Sequence, residues 1–322
     1  MLRVGFIGTG AISAVHLDYL KTRTDVQIAA LCDVHAANLA KRQQAYGGTA
    51  YSDLDLMLDT ERLDAVWICT PAKVRREPLL ACARRGLPVM CEKPAARTWE
   101  EAAAIADELE ALDAAQRIQI GYLFRSIDAV QRCRALLADD TVYQVQSVYS
   151  CPAGLGEGPW SWFFNKPFSG GPLIDQGTHT LDVLRYLLGE VEAVRGLASN
   201  PRHAKTSDYS IEEVAAVSMR FATGALGTHL QSVLGEGWRD EVLLIGAKRT
   251  YRLDLNNGVL VVEQGKERET CTASYAHAHD PQNVRFLANV VSGDWSQNPC
   301  PYADAARTLK LALECDAACI AP

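Results

Sequence analysis

An apolar run, Val4–Ile7, stops at Gly8-Thr9-Gly10-Ala11-Ile12-Ser13, and a segment of helical composition, Ala11–Leu20, starts inside that turn. This feature constrains the fold more than any other. A strand must end in a tight turn, the backbone must stay bare at Gly10, and a helix must open at once. Gly8 permits the turn. Gly10 lets a pyrophosphate approach the helix N-terminus, where free N–H groups and the helix dipole favour negative charge. The third position is Ser13 rather than glycine, and it need only be slim enough for helix to pack on strand. Asp33 ends the next apolar run, Val26–Cys32, 20 residues after Ser13 (33 − 13 = 20). A carboxylate there would take the ribose hydroxyls of a dinucleotide and repel a 2′-phosphate, and no Arg directly follows it. The pattern favours NAD over NADP. Without a nucleotide, the same residues read as a glycine turn and a helix-capping Asp.

The chain beyond this turn extends the reading. Strand-like runs at Asp64–Thr70, Pro88–Cys91 and Arg117–Tyr122 alternate with helix-like segments at Ala36–Tyr46, Pro78–Arg85 and Trp99–Leu112. Strands separated by helices indicate a parallel sheet with helices on both faces, and continuous apolar runs fit strands buried on both sides. Thr70-Pro71 closes one run, and both residues are cofactor-contact candidates at the carboxyl edge of such a sheet. After Tyr122 the character changes. A helix at Ile127–Leu137 and a strand at Val142–Ser150 lead through a Gly/Pro/Trp-rich loop, Pro152–Pro172, to a helix at Leu173–Leu188. From Val191 to Val262 strand-like runs follow one another without helices, with hairpin signals at Thr223-Gly224 and Asn256-Asn257-Gly258. The expected fold class is α/β. An N-terminal Rossmann doubly wound parallel sheet spans 1–122. An α+β domain with a large open, mostly antiparallel sheet spans 123–322, its last helix, 302–319, packing back towards the first domain.

Composition removes other function classes. The chain has 322 residues, enough for two cores, and 32 basic against 39 acidic residues give a net charge of −7. No Lys/Arg-rich run offers a footprint for nucleic acid or an anionic membrane. The first apolar run is too short for a signal-peptide core, and no stretch approaches the roughly 18 apolar residues of a membrane span. A cytoplasmic protein is expected. The 10 cysteines include no C-x-x-C pair. Cys315 and Cys319 share a helix face but lack a second pair to complete a zinc site, so reduced thiols and no metal are expected.

Two segments carry candidate chemistry. Glu92-Lys93-Pro94 follows Pro88–Cys91 at the same sheet edge. An ammonium there can hydrogen-bond a reacting hydroxyl and stabilise developing alkoxide charge; an isolated Lys also reads as a surface residue in a turn. The second segment is Gly170-Gly171-Pro172-Leu173-Ile174-Asp175-Gln176-Gly177-Thr178-His179-Thr180-Leu181-Asp182. On one continuous helix Asp175, His179 and Asp182 fall at i, i+4 and i+7 and share a face. A histidine among carboxylates suits proton transfer near neutral pH. The same arrangement also serves to stabilise an interface helix.

Taken in order, the glycine turn, Asp33, Thr70-Pro71, Glu92-Lys93-Pro94 and the Gly-Gly-x-x-x-Asp-x-Gly-x-His-x-x-Asp string resemble the glucose–fructose oxidoreductase / inositol dehydrogenase / MocA family over essentially the whole chain. The resemblance implies NAD held by Gly8, Thr9, Gly10, Ala11, Ile12, Asp33, Thr70, Pro71, Glu92 and Lys93. It implies a catalytic set in which Lys93 contacts the substrate hydroxyl and positions the nicotinamide, His179 is the general acid/base, and Asp175 orients substrate or His179. The implied reaction moves a hydride to or from a secondary hydroxyl or ketone of a sugar, an inositol or a related polyol. The C-terminal sheet is expected to form a homodimer or homotetramer. Arg125 matches a basic position that the family carries near substrate. Tyr122, Trp160, Trp162 and Asn165 join it as substrate-binding candidates, aromatic faces suiting the C–H faces of a sugar ring. The sequence departs from the family in one loop: where Thr-Pro-Asn-x-x-His is common, this chain has Thr70-Pro71-Ala72-Lys73-Val74-Arg75, and Arg75 is expected to meet an acidic substrate. Two rival readings fit the motifs. One is an NAD-retaining glycosidase or lyase working by transient oxidation. The other is a non-catalytic nucleotide-binding regulator, against which the Lys93, Asp175 and His179 set argues.

Overall fold

The computed structural model describes residues 1–152, 161–275 and 277–320. The chain forms two compact units, one of residues 1–123 with 279–306, the other of residues 124–278 with the chain from 307 onward. The sequence places its one division after Tyr122 and expects only the last helix, 302–319, to pack towards the first domain; it carries no sign that 279–301 belongs with the first unit.

In the first unit β1 (Leu2–Ile7), β2 (Val26–Cys32), β3 (Thr49–Tyr51), β4 (Ala65–Ile68), β5 (Val89–Cys91) and β6 (Ile118–Ile120) form one parallel sheet in the order β3-β2-β1-β4-β5-β6. They are connected by α1 (Ala11–Lys21), α2 (Ala36–Tyr46), α3 (Leu54–Thr60), α4 (Arg76–Arg84) and α5 (Trp99–Ala111). Parallel neighbours need crossover helices, which cover both faces, so the strands read as unbroken apolar runs; every residue of β4 is buried. Strand order reverses between β1 and β4, which sets the turn after β1 and Thr70 after β4 on one crevice at the carboxyl edge. Phe6 stacks on Trp67 with ring centroids 5.6 Å apart, and Phe286 meets Trp67 edge-on at 5.0 Å. Phe286 comes from the helix Asp280–Ser292. Beyond that helix, Asn298 Nδ2 donates to the carbonyls of Gln116 and Ile118 at 2.8 and 3.0 Å. These contacts are what draw 279–306 into the first unit.

In the second unit come α6 (Asp128–Leu137), β7 (Val142–Pro152), α7 (Lys166–Ser169), α8 (Pro172–Asp175) and α9 (Thr178–Leu188). They are followed by β8 (Val191–Ser199), β9 (Val214–Phe221), β10 (Leu226–Ser232), β11 (Leu234–Gly246), β12 (Thr250–Asp254), β13 (Val259–Gln264), β14 (Glu267–Cys271) and β15 (Cys319–Ile320). The sheet runs β14-β13-β12-β11-β7-β10-β9-β8-β15 and is antiparallel except at β7–β10 and β8–β15. Burial alternates here, as on β10, where His229 and Gln231 point inward while Leu226 and Leu230 point outward. α6 packs on β12, β13 and β14, and α9 on β7 and β11.

The single helix expected over Leu173–Leu188 is two helices, and this corrects the shared face of Asp175, His179 and Asp182. The Gly177 N–H bonds back to the Pro172 carbonyl at 2.8 Å instead of continuing the helical ladder. Gly177 lies so close to β10 that a Cβ there would stand 2.4 Å from Gln231 Oε1. A side chain at 177 would have to push Gln231 aside, so glycine lets the chain come this close to the sheet at the point where the helix is interrupted. All ten cysteines are free thiols. Among the described residues no helix is long and apolar enough to cross a membrane, and no group of three or more His, Cys, Asp or Glu could hold a metal ion.

Candidate active site

The glycine turn is held from several sides. Gly8 has φ +88°, and a Cβ on it would lie 2.8 Å from the Cys69 carbonyl carbon and the Thr70 nitrogen. Gly10 is the N-cap of α1; no side chain caps that end, and nothing lies within 4 Å of where its Cβ would be. The first N–H groups of α1 are therefore open to an anion. Asp33 Oδ2 accepts from the Thr9 N–H at 2.6 Å and from Thr9 Oγ1 at 2.8 Å, while Oδ1 accepts from the His35 N–H at 2.8 Å. The Gly10 carbonyl accepts from Ser13 Oγ at 2.7 Å and from Arg42 Nη2 at 2.9 Å. Among the described residues Thr70 Oγ1 is buried without a hydrogen-bond partner, a state that a ligand's polar atom would relieve. A bare helix N-terminus, a carboxylate at the end of β2 and an orphaned hydroxyl at the end of β4 fit a dinucleotide.

Arg75 does not face a substrate. It is 3% exposed, donates Nη2 to the Thr70 carbonyl at 2.6 Å and Nη1 to the Pro94 carbonyl, and so ties the loop after β4 to the turn after β5. A planar fork of donors suits two converging carbonyls.

Glu92 also departs from expectation. It turns inward rather than towards a cofactor, with Oε1 3.0 Å from His16 Nε2. His16 Nδ1 lies 2.9 Å from Asn283 Oδ1, which also accepts from Trp67 Nε1 at 3.0 Å. Burial works against charge on Glu92, but the hydrogen bond from His16 and the charges of His16, His279 and Lys93 outweigh it and hold the carboxyl at about 2. Burial is the main cause that pushes His279 down to about 4, so its ring is uncharged at neutral pH and its charge acts on Glu92 only in acid. His16 and Asn283 are absent from the sequence reading. The one available sign was a histidine on the buried stripe of α1, with Ser13, Leu17 and Leu20.

In the second unit Gln176 joins Asp175 to the sheet. Gln176 Nε2 donates to Asp175 Oδ2 at 2.6 Å, and the Tyr149 hydroxyl donates to Gln176 Oε1 at 2.8 Å. Burial raises the Tyr149 phenol far above its ordinary range, so it remains a donor. His179, the second residue of α9, is half-buried with its ring 5.7 Å from that of Phe124. Asp182, one turn on, accepts from Arg125 Nε at 2.7 Å, Arg125 Nη2 at 2.6 Å and Thr308 Oγ1 at 2.6 Å. Arg125 and Asp182 are each 1% exposed, and the Arg125 guanidinium lies 4.9 Å from the Tyr186 ring. Arg125, expected at substrate, is thus committed to a buried ion pair. Asn165 Nδ2 donates to the Ser207 carbonyl at 3.1 Å, and Tyr122 is buried. Trp162 is exposed, its ring edge-on to Phe163 at 6.2 Å. Trp160 lies outside the described residues.

Residues 2–121 match the oxidoreductase family with the NAD-binding Rossmann fold (GFO_IDH_MocA), and residues 130–252 match the GFO/IDH/MocA C-terminal domain. D-glucoside 3-dehydrogenase of Escherichia coli is 32% identical over 195 residues, which are 58% of this chain but only 54% of that relative's length. Myo-inositol 2-dehydrogenase of Thermotoga maritima is 26% identical over 305 residues, covering 91% of this chain and 89% of the relative. The solved structure of UDP-N-acetylglucosamine 3-dehydrogenase from Acidithiobacillus ferrooxidans shares the fold, with a TM-score of 0.82 at 21% identity over 99% of this chain and 97% of that one. With the family's NAD-binding domain and its C-terminal domain matched in order, the chain belongs to the Gfo/Idh/MocA oxidoreductase family.

Proposed function

We propose that the chain is an NAD(H)-dependent dehydrogenase or reductase acting on a secondary hydroxyl or ketone of a sugar, an inositol or a related polyol. The observation that carries this reading is the bare N-terminus of α1 beside Asp33, in a family whose members include D-glucoside 3-dehydrogenase and myo-inositol 2-dehydrogenase. α1 binds the pyrophosphate, and Asp33 takes the ribose hydroxyls and disfavours NADP. A bound nicotinamide supplies the hydride acceptor or donor. Lys93 holds the substrate oxygen and stabilises its negative charge as the proton leaves. His179 takes that proton, and Asp175, fixed through Gln176 and Tyr149, orients the hydroxyl. Reduction uses the same groups in reverse. Ten free thiols accord with a reducing, cytoplasmic setting.

Nucleotide titration by intrinsic fluorescence tests the cofactor. NAD(H) should bind at least about tenfold tighter than NADP(H), a gap of about 1.4 kcal/mol, and Asp33→Ala should erode it. Failure to bind either nucleotide would remove the basis of the reading. With a polyol that the wild type turns over, Lys93→Ala and His179→Ala should each lower kcat at least about a hundredfold. Wild-type kcat in both would overturn the roles.

A homodimer or homotetramer through the second sheet is part of the same reading. Its outward face carries an uncharged row in register across four strands, Leu197, Ala216, Leu230 and Val148. A self-complementary face of this kind suits a second copy of the chain.

A further inference from the structure

Under the glycine turn, donors and acceptors alone fix where the protons sit. Trp67 Nε1 can only donate, and it points at Asn283 Oδ1 at 3.0 Å. At the other end of the amide, Asn283 Nδ2 donates to the His279 carbonyl at 3.1 Å. The orientation of the Asn283 amide is thereby set from both sides. Oδ1 is an acceptor, so His16 Nδ1, 2.9 Å from it, carries a proton. The second ring nitrogen, Nε2, lies 3.0 Å from Glu92 Oε1. With Nδ1–H fixed, a hydrogen bond there needs one further proton, on Nε2 or on the carboxyl. In either form the His16–Glu92 pair is net neutral. The opposite tautomer, Nε2–H with a bare Nδ1, would leave Glu92 as an uncompensated carboxylate and set a nitrogen lone pair against the Asn283 oxygen.

We infer that His16 is a positioning residue for Lys93: pinned by Asn283, it clamps and neutralises the neighbouring Glu92 carboxylate, so that the Lys93 ammonium is directed to the reacting oxygen instead of to Glu92. A buried carboxylate without a partner draws a nearby ammonium into an ion pair, because few other groups can compensate it at low local dielectric. His16 is 0% exposed and Glu92 6% exposed, so water does not serve that purpose. His279, whose ring meets that of His16 edge-on at 5.9 Å, is kept uncharged at neutral pH by burial and offers no competing cation. What Lys93 does in this inference rests on the dehydrogenase reading; where the proton sits does not.

The test uses the whole protein with 15N-labelled histidine. Two-bond 1H–15N spectra report which ring nitrogens carry protons, and His16→Phe identifies the His16 signals. Without nucleotide, His16 should keep its Nδ1 proton and share a second proton with Glu92. A bare Nδ1 overturns the inference. Asn283→Ala keeps His16 and Glu92 and removes the pin, together with the acceptor of Trp67 Nε1 and the hydrogen bond to the His279 carbonyl. With a polyol that the wild type turns over, this variant should lose about tenfold in kcat, while KM and the fluorescence-measured NADH affinity change by less than about threefold. If kcat is unchanged although the Nδ1 proton has moved, or if NADH affinity falls as far as kcat, the pair only supports the fold and the positioning role is wrong. A wild type that turns over no polyol would sink the dehydrogenase reading instead, and the ring-nitrogen spectrum alone would then decide where the proton sits.

Discussion

The two units arrange their buried polar groups differently. In the parallel unit one circuit closes on itself, with both ring nitrogens of His16 engaged and Asn283 using Oδ1 twice and Nδ2 once, although among the described residues Thr70 Oγ1, Gln119 Oε1, Asn289 Nδ2 and both amide atoms of Gln282 are buried there without partners. In the antiparallel unit a polar layer lies between α9 and the strands. His229 Nδ1 is 3.0 Å from Ser147 Oγ, its Nε2 is 3.3 Å from Gln231 Oε1, and Thr180 Oγ1 donates to Asp240 Oδ1 at 2.7 Å. Among the described residues, however, Gln231 Nε2 and Asp240 Oδ2 are buried without partners. The layer under α9 supports the segment that carries Asp175 and His179, and it leaves valences open there. Local rules that are broken beside a functional element mark stability given up for placement.

The largest effect tests whether a complete buried pair in the second unit matters as the closed circuit around His16 does in the first. Arg125→Ala would leave Asp182 buried with only Thr308 as partner. Urea unfolding should show a loss of about 3–5 kcal/mol. A double change of Arg125→Met and Asp182→Leu should recover most of it, because an apolar pair of similar volume has no desolvation penalty to offset. A loss below about 1 kcal/mol for the single variant would mean that α9 is held by apolar packing, and the comparison would collapse.

Legibility in the sequence follows the same divide. Local signals place β2 at Val26–Cys32 and open α1 at Ala11, both as expected from the runs and the glycine turn. β3 has three residues, and it exists because it pairs with β2. The return of 279–306 depends on Phe286 reaching Trp67, which no local pattern encodes. In the second unit period-two alternation reveals β9 and β10, but β14, with Glu267, Arg268 and Glu269, has no apolar pattern and forms only as an edge partner of β13. Leu173–Leu188 reads as one helix because a lone glycine is tolerated in a helix; the reason for the break, Gln231, is 54 positions away (231 − 177 = 54). At the site, Gly8, Asp33, Lys93 and His179 stand in short motifs. His16 does not, since its partner Asn283 lies 267 positions on. Arg125 and Arg75 look like substrate-facing cations until Asp182, 57 positions later, and two backbone carbonyls are seen to hold them.

The open valences sharpen the comparison from the other side. Burial, reinforced by Asp254 and Glu241 and opposed by the Thr180 hydrogen bond, raises the Asp240 carboxyl to about 8. A carboxyl raised on folding contributes fully below its unfolded value of about 4, and that contribution is lost as pH climbs towards the folded value. Asp240→Asn keeps an acceptor for Thr180 without the charge. Chemical denaturation should show the variant more stable by about 2 kcal/mol near pH 8 and equal to wild type near pH 4. An equal change at both values, or a loss near pH 8, would show that Asp240 is fully compensated and that the layer under α9 is as complete as the circuit around His16.

The smallest effect on the fold belongs to the outer face of the antiparallel sheet. On β4 the neighbours Val66 and Trp67 point to opposite faces and both are fully buried, so truncating either should cost several kcal/mol, about 2–5. On β10 Leu230 is 50% exposed and stands in register with Ala216 and Val148. Leu230→Ser should change the thermal stability of the dilute protein by no more than about 0.5 kcal/mol. Leu230→Asp should likewise leave the fold intact, yet place a charge in the middle of the proposed interface, where an unpaired carboxylate resists desolvation. Sedimentation velocity should then show the oligomer shifting to monomer while the unfolding midpoint measured at high dilution stays put. A large loss of stability in the dilute Leu230→Ser protein would mean that this face is already covered within one chain. The two sheets would then differ in how their strands are connected, but not in how many of their faces the fold itself buries.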